Sequence, residues 1–521
     1  DQVLNPSTFQ VYNASAGSGK TFTLVKEYLK IILNSPDQRL YQQILAITFT
    51  NKAAAEMKDR ILETLQSFAI MDQDEPENGM LPVLMSETGL SRGTIQIRAK
   101  ERLQDILKNY ASFHIKTIDS FTNKLIKSFA FELGLTADFE VELDTDSILK
   151  EAVDVVLSKI GVDRELTKLL VSFSKEKTLE DKSWDVGKDL FNISKLILNE
   201  NHAHELEKLV GKSLSSFSDL SIKLRKEQKI HQAMIKEIGE KVLDLISEHG
   251  IDHKDFQRSQ LPKFFIKMTR NPEDKDFDWE SSTSRNVEQR NFYGKNKPER
   301  VSGAIDSIAD QIIEMYTEVF SIYEKFKLNT LILKNLVPLA VINTINQALG
   351  EIKTNNNIRL NAEFNQLIGD HLINEPAAFI YEKLGERFKH FFIDEMQDTS
   401  QLQWQNLIPL IDNALSTEEA GLMLVGDAKQ AIYRWRGGRA EQFISLSSDI
   451  EHYRANPFQI SKNLQHLDTN YRSHKEIINF NNDFFSHIAQ HFSNQSYADL
   501  YTLGNQQNTN SKEGGYVRLQ F

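Results

Sequence analysis

The chain has 521 residues, a formal net charge of −12, 40% hydrophobic and 26% charged positions, 23 glycines and 11 prolines, a globular make-up that excludes collagen-like, low-complexity and disordered architectures. At about 150 residues per domain this length predicts three or four folding units. The absence of cysteine excludes disulfides, iron–sulfur clusters, thiolate zinc sites and Cys nucleophiles, and fits a reducing, cytoplasmic setting. Most of the acidic excess lies between positions 136 and 385, so it argues only against coating nucleic acid by bulk charge. The opening DQVLNPSTFQ has no basic region followed by an apolar one, which predicts no secretory signal. The longest apolar stretch, 331–342, is broken by Lys334, Asn335 and Pro338, which predicts no membrane partner.

Five short apolar runs stop abruptly at polar or small residues, at 9–13, 44–48, 113–117, 391–394 and 422–427, and read as buried strands. Helical spacing follows the first (Leu24, Tyr28, Ile31, Ile32) and the second (Met57, Ile61, Leu65, Phe68). Alternating strands and helices predict an α/β fold on a parallel sheet, whose ligands bind beyond the carboxyl ends of the strands. This sheet domain is expected at 1–62, 112–135 and 386–466. A small helical insertion is expected at 63–111 and a large one at 136–385, with a long loop near 255–300. A new, incomplete unit begins at 467 and runs to 521, ending in a strand-like stretch at 516–521.

After the first strand, Ala14-Ser15-Ala16-Gly17-Ser18-Gly19-Lys20-Thr21 has the composition of a phosphate cradle. Small residues let backbone N–H groups curl around phosphate oxygens, Lys20 reaches the β and γ phosphates of ATP, and the Thr21 hydroxyl takes Mg²⁺. Ala16, Gly17, Ser18, Gly19, Lys20 and Thr21 are therefore the nucleotide-binding candidates, with Ala14 standing where a glycine is usual. Asp394, ending the fourth run, suits the metal shell, and Glu395 beside it suits the base that orients water. Thr48, Phe49, Thr50 and Asn51 end the second strand, offering hydroxyls, an amide and one aromatic face to a polynucleotide; capping of the next helix explains Thr50 or Asn51 equally well. Tyr433-Arg434-Trp435-Arg436 interleaves aromatics and cations, as a base-stacking platform or as a snorkelling surface patch. Lys254–Arg270 has basic-aromatic interleaving that fits either nucleic-acid binding or a helix with a buried Phe face.

DEMQDTS at 394–400, ITFTNKAAAEMKDRI at 47–61 and VGDAKQAIYRWRGG at 425–438 together resemble the superfamily 1 helicases of the UvrD/RecB type. ASAGSGKTFTL and the very large insertion look more like the RecB and AddA motor subunits than like UvrD. The resemblance implies a RecA-like P-loop NTPase domain carrying a large α-helical insertion, followed by the start of a second RecA-like domain. It implies an ATP-dependent DNA helicase or translocase of repair or recombination, using ATP and Mg²⁺. Its implied partners are single-stranded DNA, a duplex junction, and a nuclease or second helicase–nuclease subunit. By the same resemblance Gln430 senses the γ-phosphate, Arg472 is an arginine finger and Tyr471 stacks on adenine. Thr48, Phe49, Thr50, Asn51, Thr117, Tyr433 and Trp435 contact DNA. Asp119-Ser120 stands where the family commonly has His-Gly. Two further family motifs are not found before residue 521, so the chain is expected to be the N-terminal portion of a longer protein, impaired in stepping when isolated. A small-molecule P-loop kinase and an ATP-switched structural scaffold of a helicase–nuclease complex are the rival readings, and the stacking chemistry does not exclude RNA.

Overall fold

The computed structural model describes residues 8–71, 79–133, 135, 139–179, 185–270, 272, 274–294, 296–372, 375–448, 455–502 and 506–520. The expected insertion boundary at 136 and the final residue lie outside them. Eight strands occur among the described residues: β1 (Thr8–Ala14), β2 (Ile44–Thr48), β3 (Ile115–Thr117), β4 (Glu140–Glu142), β5 (Ile358–Leu360), β6 (His390–Ile393), β7 (Gly421–Gly426) and β8 (Lys462–Leu467). Six of them form one sheet in the order β3-β2-β6-β7-β1-β8, parallel at every pairing. All five predicted strands are in it.

The strands are apolar because the sheet is covered on both faces. Val11, Leu45, Ile47, Phe391, Ile393, Leu422 and Leu424 point into one core. Their neighbours Tyr12, Ile44, Ala46, Phe392, Met423 and Val425 point into the other. This period-two division of near-continuous apolar runs is what a sandwiched parallel strand requires. Each fully buried large side chain contributes about 1.5–3 kcal/mol. The helices Lys20–Asn34 and Asn51–Ile70 bury Leu24, Tyr28 and Ile32, and Met57, Ile61, Leu65 and Phe68, on the second core. β8 escaped the sequence reading because it is an edge strand: Asn463, Gln465 and His466 are exposed, and only the pairing with β1 holds it.

Two compact units result. The sheet unit comprises the described residues of 1–145 and 356–521 together with Leu198–His202; the helical unit comprises 146–197 and 203–355. β4 and β5 pair in parallel where the chain leaves and re-enters the sheet unit. In the helical unit, Leu214–Glu248 and the 57-residue helix Glu299–Asn355 share a core in which Ile238, Val242 and Ile246 lie with Ile305, Ile312 and Val319. Glu299–Asn355 has the length and composition to cross a membrane, contrary to the expectation drawn from its interruptions. Its Leu336, Val337, Ala340, Val341 and Ile345 are buried in the protein, which is the demand that makes it apolar.

Two local expectations are corrected. The supposed long loop near 255–300 contains the helices Gln260–Met268 and Ser282–Glu288. Phe256, Phe264 and Phe265 of the basic-aromatic segment are buried in the helical core, so its aromatics are structural and unavailable for stacking on bases. Residues 516–520 form no strand; exposed Tyr516, Val517 and Leu519 have no neighbouring strand to pair with.

Candidate nucleotide and nucleic-acid site

Each motif follows the carboxyl end of a sheet strand: the glycine loop after β1, Phe49 after β2, Ile118 after β3, Asp394 after β6, Asp427 after β7 and Asn470 after β8. The loop folds on itself, Ser18 N–H donating to the Ser15 carbonyl (3.1 Å) and Ser15 N–H to the Ser18 hydroxyl (3.1 Å). Gly17 and Gly19 take φ of 78° and 86°, accessible at low cost to glycine alone. At Gly17 a Cβ would stand 2.6 Å from Asn470 Oδ1 and 2.8 Å from Arg472 Cβ, so a side chain there is excluded twice. Gly19 caps the helix Lys20–Asn34, whose first N–H groups lack intrahelical partners and favour an anion.

A cleft of about 420 Å³ opens over this loop. Ala16, Gly17, Ser18, Gly19, Lys20 and Thr21 line it, and so do Glu395, Gln430, Tyr471 and Arg472. The predicted cradle, base, sensor and finger therefore share one space. Tyr471 is 62% exposed there, and its N–H is held by the Gly17 carbonyl (2.9 Å). Asp394 is half-buried, its N–H bonded to the Ile47 carbonyl of β2 (2.9 Å) and its Oδ1 accepting from Glu395 N–H (2.9 Å). Enclosure by protein, and then the Glu395 carboxylate, raise its carboxyl well above the usual range, with Lys20 opposing.

A hydrogen-bonded circuit connects these groups. Lys20 Nζ contacts both Glu395 carboxylate oxygens at 2.8 Å. Gln397 Nε2 donates to Glu395 Oε2 (2.6 Å), and Gln397 Oε1 accepts from Asp427 N–H (2.9 Å). Buried Asp427 accepts from Gln430 Nε2 (2.6 Å) and pairs with Lys429 (2.9 Å), which donates to Ser15 Oγ (3.2 Å). Glu395 holds a left-handed φ of 52°, a strained setting of the kind that collects at functional sites. The donor set fits Mg²⁺. Thr21 and Asp394 offer hard oxygen ligands, the Asp394 carboxyl has its ionised form disfavoured by the adjacent acid, and one or two protein oxygens plus substrate phosphates is the usual way Mg²⁺ is held. Among the described residues no group of three or more His, Cys, Asp or Glu could hold an ion on its own.

On the nucleic-acid side, the Phe49 and Tyr433 rings lie 4.6 Å apart, and Trp435 is 6.2 Å from Tyr433 and 73% exposed. The Arg436 guanidinium sits over Phe49 (5.2 Å) and Trp435 (5.9 Å). Thr50 and Asn51 are exposed, and Thr50 Oγ1 accepts from Ala53 N–H as the cap of Asn51–Ile70. Thr117 Oγ1 likewise caps Ile118–Ser128 by accepting from Ser120 N–H. Thr48 is buried, its hydroxyl donating to the Thr50 carbonyl (3.2 Å). Thr48 and Thr117 thus shape the turns, whereas Phe49, Thr50 and Asn51 face outward.

Sequence reasoning overlooked Gln397, Asp427, Lys429 and Asp398, although the words DEMQDTS and VGDAKQ contained them; a polar run directly after a buried strand was the available signal. It also overlooked Arg60, which lines the cleft and pairs with Glu56 (2.7 Å). Buried Asp398 accepts from the backbone N–H groups of Ile432 and Tyr433, tying the acid pair to the stacking loop, and burial followed by the Glu395 charge pushes its carboxyl up to about 6. Because this folded value exceeds that of an unfolded aspartate, near 4, wild-type stability declines as pH rises from about 4 to 6 and is level above. Asp398→Asn is therefore expected to stabilise the apo fold above pH 6 by on the order of 2 kcal/mol, with the gain vanishing below pH 4. Thermal melts across that range decide it; a gain independent of pH would refute the assignment.

The sequence matches the family described as UvrD/REP helicase N-terminal domain over residues 2–451. It is 24% identical over 502 residues to the RecBCD enzyme subunit RecB of Buchnera aphidicola, covering 92% of this chain and 38% of that protein. It is 24% identical over 501 residues to the AddA ATP-dependent helicase/nuclease subunit of Acetivibrio thermocellus, covering 91% and 38%. To the same protein of Clostridium kluyveri it is 26% identical over 528 residues, covering 93% and 38%. The chain thus spans about 38% of the length of these relatives. With a P-loop, an acid pair and a stacking platform on one parallel sheet, and with the family match covering most of its length, this chain belongs to the UvrD/REP helicase N-terminal domain family.

Proposed function

We propose that the chain is the ATP-driven motor portion of a RecB/AddA-type DNA helicase, coupling MgATP hydrolysis to movement on single-stranded DNA during cytoplasmic repair or recombination, with a nuclease as its functional partner. The observation that supports this best is the circuit Lys20–Glu395–Gln397–Asp427–Gln430, which joins the cleft to the segment leading into the stacking loop. Without nucleotide, Lys20 and Glu395 neutralise each other. A triphosphate draws Lys20 away, and the freed Glu395 carboxylate can orient water and accept its proton. Gln430, between the cleft and Asp427, carries the state of the γ-phosphate into the stretch that ends at Tyr433 and Trp435. Arg472 offsets charge developing on the transferred group. Bound Mg²⁺ would neutralise phosphate oxygens, held by Thr21 and Asp394.

A purely structural ATP-binding protein has no use for Glu395 and Arg472 in the same cleft as Lys20. The test on the nucleic-acid side is Trp435→Ala. Loss of one base–aromatic stack of about 1–3 kcal/mol predicts roughly 5- to 100-fold weaker binding of oligothymidylate at fixed salt, with MgATP affinity unchanged. Equal oligonucleotide affinities for wild type and variant, by fluorescence anisotropy, would remove the stacking platform from this reading.

A further inference from the structure

Leu198–His202 lies in the middle of the helical insertion in sequence, yet it belongs to the sheet unit. The rest of the flanking chain, 146–197 and 203–355, does not. The side chain that this stretch contributes is Glu200. Its Oε2 accepts from the Ser400 hydroxyl (2.7 Å) and its Oε1 from Asn365 Nδ2 (2.6 Å). Ser400 is the N-cap of Gln401–Leu415 in a reciprocal capping box with Gln403, and Ser400 and Asn365 are both buried.

These contacts lead to the stacking cluster by two routes. Ser400 forms an antiparallel bridge with Gly438, and a Cβ placed on Gly437 would meet Ser400 Cβ at 3.1 Å and Glu200 Oε2 at 3.9 Å. The turn that ends Tyr433-Arg434-Trp435-Arg436 is therefore packed against the Glu200–Ser400 pair. Gln403 Nε2 also reaches Asp119 Oδ1 (3.4 Å), Asp119 Oδ2 pairs with Arg436 (3.4 Å), and Arg436 lies over Phe49 and Trp435. Both acids in this chain of contacts have raised carboxyl values, from burial in each case and at Glu200 also from the Asp119 charge. An acid retained in such surroundings has to be held by its donors.

We propose that Glu200 is a positioning residue for single-stranded nucleic acid, through which the insertion's own chain holds the Gly437–Gly438 turn and the Phe49–Trp435 cluster in their base-receiving arrangement. This rests on the stacking role assigned to Trp435 above. Glu200 touches neither the cleft nor the stacked rings. Its effect is thus on polynucleotide affinity and on stimulation by polynucleotide, and not on MgATP binding or on the basal rate.

The test uses the 521-residue chain, oligothymidylate of fixed length, and the variants Glu200→Ala, Glu200→Gln, Trp435→Ala and the Glu200→Ala/Trp435→Ala pair. Loss of two hydrogen bonds to a carboxylate predicts about tenfold weaker oligothymidylate binding for Glu200→Ala, with MgATP affinity unchanged. Glu200→Gln should stay within about threefold of wild type, because its amide still accepts from Ser400 and the Asn365 oxygen, buried without a partner, can take its N–H. In the Trp435→Ala background Glu200→Ala should add little, since both act on one element. Fully additive losses, or wild-type affinity in Glu200→Ala, would overturn the proposal. If Glu200→Ala is poorly folded by circular dichroism, the same comparison is made with Asn365→Ala, which removes one of the two donors and should weaken binding in the same direction. Failure of the wild type to bind oligothymidylate at all would instead sink the stacking reading, so the two failures are distinguishable.

Discussion

Glu395→Gln is expected to lower MgATP turnover by about a thousandfold while leaving nucleotide bound. The glutamine has nearly the same shape, but it cannot accept a proton from water at neutral pH and carries no charge to pair with Lys20. In the wild type that pairing is bidentate at 2.8 Å, so it competes with phosphate for the ammonium. Its removal frees Lys20, and nucleotide affinity should hold or rise a few-fold. The adjacent Asp394 also loses the carboxylate that raises its own carboxyl, so it ionises more readily and its capacity as a metal ligand improves. Phosphate release with saturating oligothymidylate and equilibrium binding of a fluorescent ATP analogue give the two readouts. Turnover within tenfold of wild type would show that another group orients the water.

Lys20→Ala produces the opposite division. It is expected to weaken MgATP binding by about a hundredfold or more, because charge-assisted contacts to phosphate are lost at roughly 1.5–3 kcal/mol each. The change goes beyond a missing attraction. Lys20 is the neighbour that lowers the Asp394 carboxyl against enclosure and the Glu395 charge. Without it two adjacent acids face a polyanion, and Asp394 shifts further toward its protonated form. The loop itself should survive, since its shape rests on the Ser15–Ser18 bonds and on two glycines with positive φ. Nucleotide affinity unchanged in Lys20→Ala would exclude the loop as the phosphate cradle.

These two predictions were available from adjacent residues, and so was much of the fold. The five apolar runs paired in one parallel sheet because strands sandwiched between helices have little choice but to be apolar on both faces. The glycine loop was readable because its backbone angles restrict which residues can stand there, and Asp394 and Glu395 because they end a buried strand. β8 was hidden by its polar, edge-exposed side chains, as were the helices Gln260–Met268 and Ser282–Glu288 by the prolines and charge clusters around them.

What the sequence determined by itself was local chemistry: a phosphate cradle, an acid pair, a stacking platform, and the parallel sheet that presents them. What tertiary structure alone decided was which distant groups meet. Lys20 is held by an acid 375 positions away, Asp427 is held by a glutamine from another strand end, and Glu200 of the insertion is seated on the cap of Gln401–Leu415. The physical reason is that a hydrogen bond leaves its mark on neither periodicity nor composition. Burial selects for apolar residues along a whole element and is visible in the pattern, whereas one carboxylate–hydroxyl contact needs a single residue at each end and nothing repeated between them.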